Sequence, residues 1–474
     1  MKAFPVLAVA ILSSISNFGG AHVDAREISV ASPAELKSAL AAVQPGDVVT
    51  LKNGIWRNAN LFIEKGGSKN NPLVIRAETP GQVSLAGSSS LRIDAPYVTV
   101  DGLLFTQGAI SKGSVIHFNS HDGIVRDSAI VDFNPPSFNT NYYWVFFDGD
   151  NNLVDRCFFK GKSNMEPLVG NGLDDARHNS VLHSYFKDIP FNEANGREIF
   201  RIWGYSKLDE AGDDGAFFTI ADNLFDHADG EGQEIISLKS NHNFVLRNTI
   251  IATRGGINIR RASFNTVMDN IILGQGVRGA YGLRMSGAHH LVKGNFASGC
   301  TYGIRVSCGE FIGGYLTPKY QPDLARMGPN PIARITSYPQ VKYLTLVDNV
   351  MVNNTGPDLE IGSMYQNHWP QEQMVLIPEE CVIQNNRFVR PHGGVSVIGA
   401  IPDSKPPLDH FSFKPNQYLG NLLLGGENDF APSFGGFTKQ QIPKDWSEAE
   451  EQSNLKPLTP ADVGPDWMRP KSAF

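Results

Sequence analysis

One short phrase recurs along the middle of the chain, and it limits the fold more than any other feature. It reads NNLVDRCFF at 151–159, HNSVLHSYF at 178–186, FFTIADNLF at 217–225, HNFVLRNTI at 242–250, FNTVMDNII at 264–272, HHLVKGNFA at 289–297, LTLVDNVMV at 344–352 and CVIQNNRFV at 381–389. Each copy is an apolar strand, a polar turn position and a further apolar residue. The turn asparagines Asn223, Asn248, Asn270 and Asn295 are 25, 22 and 25 residues apart. A near-constant step of this size marks a solenoid with one coil per repeat, and β-branched residues with Gly/Asn turns replace helical periodicity. Short strands of this kind stack as a parallel β-helix, with coils about 4.8 Å apart. Asparagines stacked at one turn are expected to hydrogen-bond from coil to coil.

The step from Asn295 to Asn349 is longer and implies an insertion, YLTPKYQPDLARMGPNPIARITSYPQ (315–340), folded over one face. At the front, SPAELKSALAAVQPGDVVTL (32–51) breaks the pattern. Ser32 and Glu35 have capping-box spacing, a short amphipathic helix follows, and PGD turns into a strand. A helix there closes the open end of a solenoid. Beyond about residue 400 the repeat fades into Pro-rich, charged sequence ending PLTPADVGPDWMRP. The expected layout is all-β: a single parallel β-helix over 26–400 with a short N-terminal capping helix, then a C-terminal cap and tail, 401–474, packed on it. Hydrophobic residues at 41% supply a core, and 47 glycines with 29 prolines supply the turns.

Residues 1–25 follow another plan. Lys2, the apolar run 6–12 and Val23-Asp24-Ala25 resemble a cleaved export signal. The run is too short to span a bilayer, so a secreted or periplasmic protein is expected, without a membrane span and as a monomer. The formal net charge of −7 argues against nucleic acid as a general partner. Cys157, Cys300, Cys308 and Cys381 form neither a disulfide framework nor metal-ligand spacing. Cys300 and Cys308 could bond with each other, but burial as small hydrophobes is the simpler state.

The candidate chemistry lies on GEGQEIISLKS (230–240). Strand parity puts Ile236 and Leu238 on one face and Ser237 and Lys239 on the other. In INIRR (257–261), Ile257 and Ile259 point inward while Asn258 and Arg260 point outward. Lys239 and Arg260 are 21 residues apart, close to one coil, so both should project from neighbouring coils of one outer face. Eight basic residues (Lys239, Arg247, Arg254, Arg260, Arg261, Arg278, Arg284, Lys293) stand against one acid, Asp269, between 239 and 293. That excess suits a polyanionic ligand; a solvated basic row is the plainer alternative.

Glu234 has the opposite parity to Lys239 and joins its face only if the strand bends nearby. Glu231 and Glu234, with an amide oxygen from elsewhere, then make a donor set for a hard cation such as Ca²⁺; the alternative is two turn-capping acids. Arg201 and Arg284 face outward by parity and are candidates for substrate carboxylates. Tyr142, Tyr143 and Trp144 offer rings for the core or for sugar stacking, and Tyr143 is the candidate assigned to substrate. His242, His289 and His290 fall at turns and are assigned structural roles.

Six stretches together carry a family resemblance: PGDVVTLKNGIW (45–56), PLVIRAETPGQVSLAGSSSLRI (72–93), NGREIFRIWG (195–204), GEGQEIISLKS (230–240), NIRRASFNTV (258–267) and AYGLRMSGAHHLVKGN (280–295). In order, they resemble successive motifs of polysaccharide lyase family 6, the family of alginate lyases and chondroitinase B, from about residue 27 to beyond 390. The resemblance implies a right-handed parallel β-helix and cleavage of a uronate-containing polysaccharide by β-elimination. It implies that Lys239, matching the lysine of the S-x-K-S motif, is the general base. Arg260, matching the arginine of L-R-H-G, would act on the leaving-group side. A calcium site is implied from Asn195, in N-G-x-E, with Glu231 and Glu234 from G-E-x-E. Two positions depart from the pattern. Arg-His-Gly reads Arg260-Arg261-Ala262, so Arg261 becomes the candidate substrate contact there. GEGQE has one residue more between its glutamates than G-E-x-E; if it turns Glu231 away, a cationic side chain has to neutralise the substrate.

In such a reaction the uronate C5 proton is weakly acidic until Ca²⁺ or an arginine binds the neighbouring carboxylate. Lys239 must be neutral to take it, a state favoured by Arg260, a cation and partial desolvation. Arg260 is too weak an acid to protonate O4 directly, so a relay through water is expected. Alginate is the first expected substrate, and dermatan sulfate (chondroitin B) the second. A β-helix glycoside hydrolase would need paired carboxylates, for which Asp174-Asp175 and Asp213-Asp214 are available in loop-like segments. A non-catalytic polyanion-binding protein would use the same scaffold, but the one-coil spacing of Lys239 and Arg260 speaks against it.

Overall fold

The computed structural model describes residues 25–172, 176–204, 214–311, 338–364, 368–369, 372–399, 413–428, 435–452 and 455–469. The export-signal segment, most of the 315–340 insertion, and Asp174, Asp175 and Asp213 lie outside the described residues. Three long sheets of 14, 13 and 14 strands run the length of the molecule, and in each a strand pairs in parallel with the strand one coil on. Thr219–Ala221, Phe244–Leu246 and Thr266–Met268 are three successive rungs. The chain is a single parallel β-helix. Among the described residues a small antiparallel sheet (Gly309–Phe311, His368–Trp369, Glu372–Leu376) stands apart from it.

Inward positions repeat from coil to coil, so like side chains meet. Phe159, Phe186 and Phe225 stack with ring centroids 5.1 and 4.8 Å apart. At one turn the asparagines form the expected ladder and extend it to Asn421. Each side-chain amide donates to the next carbonyl oxygen: Asn223 to Asn248 at 3.0 Å, Asn248 to Asn270 at 3.0 Å, and Asn270 to Asn295 at 2.9 Å. The series continues through Asn349 and Asn386 at 2.9 Å per step. The residue before each rung takes the left-handed conformation that bends the chain into the next sheet, as at Asp222 (φ 57°) and Arg247 (φ 52°). Since Asn270 also donates to Val245 O at 2.8 Å, Asn270→Ala should lower the urea midpoint. The expected cost is roughly 1–3 kcal/mol for each buried group left unsatisfied, with the far-ultraviolet β signal retained; an unchanged midpoint would show that the ladder contributes nothing.

His290 accepts from Asn265 N at 3.2 Å and bonds Ser286 O at 3.1 Å. Burial lowers its pKa to about 4, so it stays neutral inside a second polar ladder. His242 and His289 stack with Phe264 between them, at 5.1 and 4.6 Å. All four cysteines are buried and free.

The helix Pro33–Ala42 closes the N-terminal end: Ser32 accepts from Glu35 N at 3.2 Å, and Leu36 and Leu40 are buried. At the other end, the coils run past residue 400, where the sequence reading ends the solenoid. Gln417–Leu419, Asn421–Leu424 and Phe437–Gln440 all pair in parallel with the preceding coil. The Pro-rich stretch before them hides the continuing rhythm, although Asn421 is itself a ladder rung. The last described segment lies against the helix, with Leu458 N donating to Thr249 Oγ1 at 2.9 Å and Trp467 Nε1 to Asp127 O at 2.8 Å.

Candidate active site

The site forms on the outer face of the 13-stranded sheet, where Phe200–Gly204, Glu234–Ser240, Gly255–Ile259 and Ala280–Met285 are consecutive rungs. Leu238 pairs with Ile259, which brings the next residues, Lys239 and Arg260, level on adjacent coils. Lys239 is 9% exposed, donates to Glu198 Oε1 at 3.1 Å, and lies 4.8 Å from the Trp203 ring. A solvated basic row is therefore not what this face presents.

The bend required at Glu234 is a β-bulge. Glu234 pairs with Gly256 and Ile236 with Ile257, leaving Ile235 as the extra residue. Ile235 and Ile236 both enter the core, so Glu234 swings to the outer face and its Oε2 accepts from Ser237 Oγ. Glu234 Oε1 lies 3.7 Å from Arg260 and 3.9 Å from Arg284, and both guanidiniums stack on Tyr338 at 5.1 and 5.0 Å. Tyr338 belongs to the end of the 315–340 insertion, so that end covers this face.

Glu231 is not turned away by its additional neighbour. Its Oε2 accepts from Gly196 N at 2.7 Å and Arg197 N at 3.3 Å. Glu198, Glu231 and Glu234 are all buried, with ligand oxygens within 4.8 Å of one another. Burial first, then the charge of Glu198, raises the Glu231 carboxyl to about 7. Glu198 Oε2 has no hydrogen-bond partner. An oxygen-only set under such repulsion fits a hard divalent cation. Asn195 lies exposed in the turn beside Gly196.

Two buried cations hold the surrounding backbone. Arg197 donates to the carbonyls of Asn164, Pro190, Gly230 and Lys162. Lys162 donates to those of Asn164, Met165 and Glu166. Glu166 in turn takes Arg201 at 2.7 Å, and Arg201 also donates to Tyr143 Oη at 3.2 Å and lies 3.7 Å from Glu198. Tyr143 thus faces the site, while Tyr142 and Trp144 are core and donate to Phe133 O. Arg261 follows Arg260 at the end of its strand, half-buried. The linear basic excess does not stay together: Arg247 pairs with Asp222, and Lys293 lies 3.8 Å from Asp348, both away from this sheet. Asp214 is bound by Arg177 at 2.7 Å.

A family model described as chondroitinase B matches residues 30–394. The chain belongs to the chondroitinase B family. Among solved structures it is similar to the family 6 polysaccharide lyase Pedsa3628 of Pseudopedobacter saltans, at 42% identity over 93% of this chain and 99% of that one, with a TM-score of 0.82. It shares its fold with a mannuronic acid specific family 6 lyase from human gut microbiota, at 24% identity, 93% and 96% coverage and a TM-score of 0.71. The same holds for the family 6 alginate lyase AlyGC, at 23% identity and a TM-score of 0.76, of which this chain spans 60%. No match appears among curated protein sequences.

This chondroitinase B family member is a polysaccharide lyase. Its site contains residues that the sequence reading passes over: Glu198, Glu166, Trp203 and Tyr338. Glu198 had a signal, since it is the acid of the same N-G-x-E stretch that supplied Asn195. Phe200 pairs with Ile236, so two residues earlier Glu198 comes level with Glu234.

Proposed function

We propose that this lyase is an exported enzyme that cleaves alginate by β-elimination, with Lys239 as base, Arg260 on the leaving-group side and Ca²⁺ at Glu198, Glu231 and Glu234. The observation that carries the reading is Lys239 beside a buried three-glutamate cluster, with Arg260 level with it one coil away. A bound Ca²⁺ would supply positive charge for the uronate carboxylate as negative charge develops on it. Arg201 and Arg284 flank the same position and serve as anchors for carboxylates of the substrate.

Lys239 accepts the C5 proton, the C5–H electrons form the C4–C5 double bond, and the C4–O4 bond breaks. The departing O4 takes a proton from water oriented by Arg260, and the hydroxide left behind takes back the C5 proton from Lys239. Glu198 Oε1 accepts from the Lys239 amine at 3.1 Å and fixes its position beside the acid cluster. Substrate choice is supported by the family 6 relatives whose names specify alginate or mannuronic acid. The family name favours dermatan sulfate as the second substrate. Export is supported by the pattern of residues 1–25.

Incubation with mannuronate blocks, guluronate blocks and dermatan sulfate tests the reading. Ultraviolet-absorbing unsaturated ends should accumulate on an alginate block at least about tenfold faster than on dermatan sulfate, a difference of about 1.4 kcal/mol in the barrier. The reverse order would transfer the assignment to dermatan sulfate, and shortened chains without absorbance would refute elimination.

A further inference from the structure

A cavity of about 610 Å³ opens beside the glutamate cluster, at the entering ends of Glu234–Ser240, Gly255–Ile259 and Ala280–Met285. Glu231 is a wall common to both. Ile259 pairs with Met285, so Tyr281 precedes by five residues the position of its strand that is level with Arg260, about 16 Å of extended chain, and a sugar stacked on it is not the one losing its C5 proton. Its walls combine aromatic faces with cations. Tyr281 is stacked on Tyr302 at 4.8 Å, and the Arg254 guanidinium lies 4.3 Å over Phe191. Phe191 packs against Gly232, where a Cβ would come 2.4 Å from its ring. Arg254 reaches Asp229 only at 3.9 Å. Arg278 is exposed at the rim and has no carboxylate partner among the described residues. Gln233 and Glu193 add acceptors for hydroxyl groups.

We infer that this cavity is a distal subsite for an anionic sugar residue of the substrate, with Tyr281 stacking on the pyranose ring and Arg254 and Arg278 binding its carboxylate or sulfate. Pyranose faces pack on aromatic rings, and a fork of N–H donors matches either anion. Glu231 directs Oε2 to the Gly196 and Arg197 amides; Glu193 is the other carboxylate of the walls, and the guanidiniums of Arg254 and Arg278 are the groups that attract an anion there. The subsite rests on the proposed elimination of a uronate polymer, and it adds a length requirement: the chain must extend past the cluster to reach Arg278.

The test is steady-state kinetics on size-fractionated alginate and dermatan sulfate oligosaccharides, comparing wild type with Arg278→Ala, Arg278→Lys and Tyr281→Ala. On long chains KM should rise roughly 3–10-fold for Arg278→Ala, the size of one solvent-exposed hydrogen bond, with a smaller change in kcat. Arg278→Lys should recover part of it, and the deficit should shrink as the oligosaccharide shortens. A deficit on alginate assigns carboxylate to the guanidiniums; a deficit confined to dermatan sulfate assigns sulfate. If wild type forms unsaturated products and the variants show no length-dependent change in KM, the subsite is refuted while the lyase reading stands. If wild type forms none from either polymer, the reading fails and the subsite falls with it. Arg278 is exposed, so both Arg278 variants should keep the wild-type unfolding midpoint, whereas Tyr281→Ala removes a stacked ring and is read only with its midpoint measured alongside the kinetics.

Discussion

Lys239→Ala is expected to lower kcat/KM on alginate by roughly 10²–10⁴-fold, the range of a lost general base, with product absorbance near background. Lys239 is the basic group that comes level with Arg260 and also reaches the glutamate cluster. The alanine leaves buried Glu198 with Arg201, at 3.7 Å, but without its closer cation, and breaking such a buried pair is destabilising. Loss of activity in that variant alone would therefore be ambiguous. Lys239→Gln keeps a donor for Glu198 but has no basic nitrogen, so it should be equally inactive with a midpoint closer to wild type. A Lys239→Gln enzyme within about tenfold of the wild-type rate, a barrier change of about 1.4 kcal/mol, would remove Lys239 from the base role.

Chelation should produce the second large effect. Stripped of divalent cation, the enzyme should lose roughly 10²-fold or more in kcat, the scale of a lost electrostatic stabiliser, and added Ca²⁺ should restore it. Stability provides an independent readout. The Glu231 carboxyl is raised to about 7 from an ordinary value of 4.5 by burial and by the charge of Glu198. A raised acid binds its proton more tightly when folded, so its stabilising contribution is complete below about 4.5 and is lost as pH rises through about 7. The chelated protein should therefore lose a few kcal/mol across that window. Ca²⁺ should flatten the slope by binding the ionised cluster. Glu231→Gln should flatten it without metal and should lose the response to Ca²⁺. A chelated enzyme with unchanged rate and an unchanged midpoint across this pH range would dismiss the cation.

The elements that sequence rules anticipate well are those repeated at a constant step. The ladder from Asn223 through Asn295 follows from the 25, 22 and 25-residue spacing, because a side chain at a repeated turn must meet its own kind one coil on. Lys239 and Arg260 come level for the same reason. The end of the coils was harder to see. Asn421 continues the ladder, but a Pro-rich stretch interrupts the phrase before it, and a periodic rule fails wherever one repeat is hidden. The basic excess misled in another way: Arg247 and Lys293 are close to Lys239 in sequence but pair with Asp222 and Asp348 away from the site's sheet. A β-helix sends neighbouring residues to three different faces.

By itself, the sequence determined the solenoid, the parity of the regular strands and the family, since all three depend on residue order and spacing along one chain. Only the tertiary structure decided how the glutamates meet. The bulge at Ile235 turns Glu234 outward, Glu198 arrives from the preceding coil, and Tyr338 returns from an insertion to cover Arg260 and Arg284. Burial and approach distance are set by atoms from several coils at once, so the charge balance around Lys239 exists only after those coils have stacked.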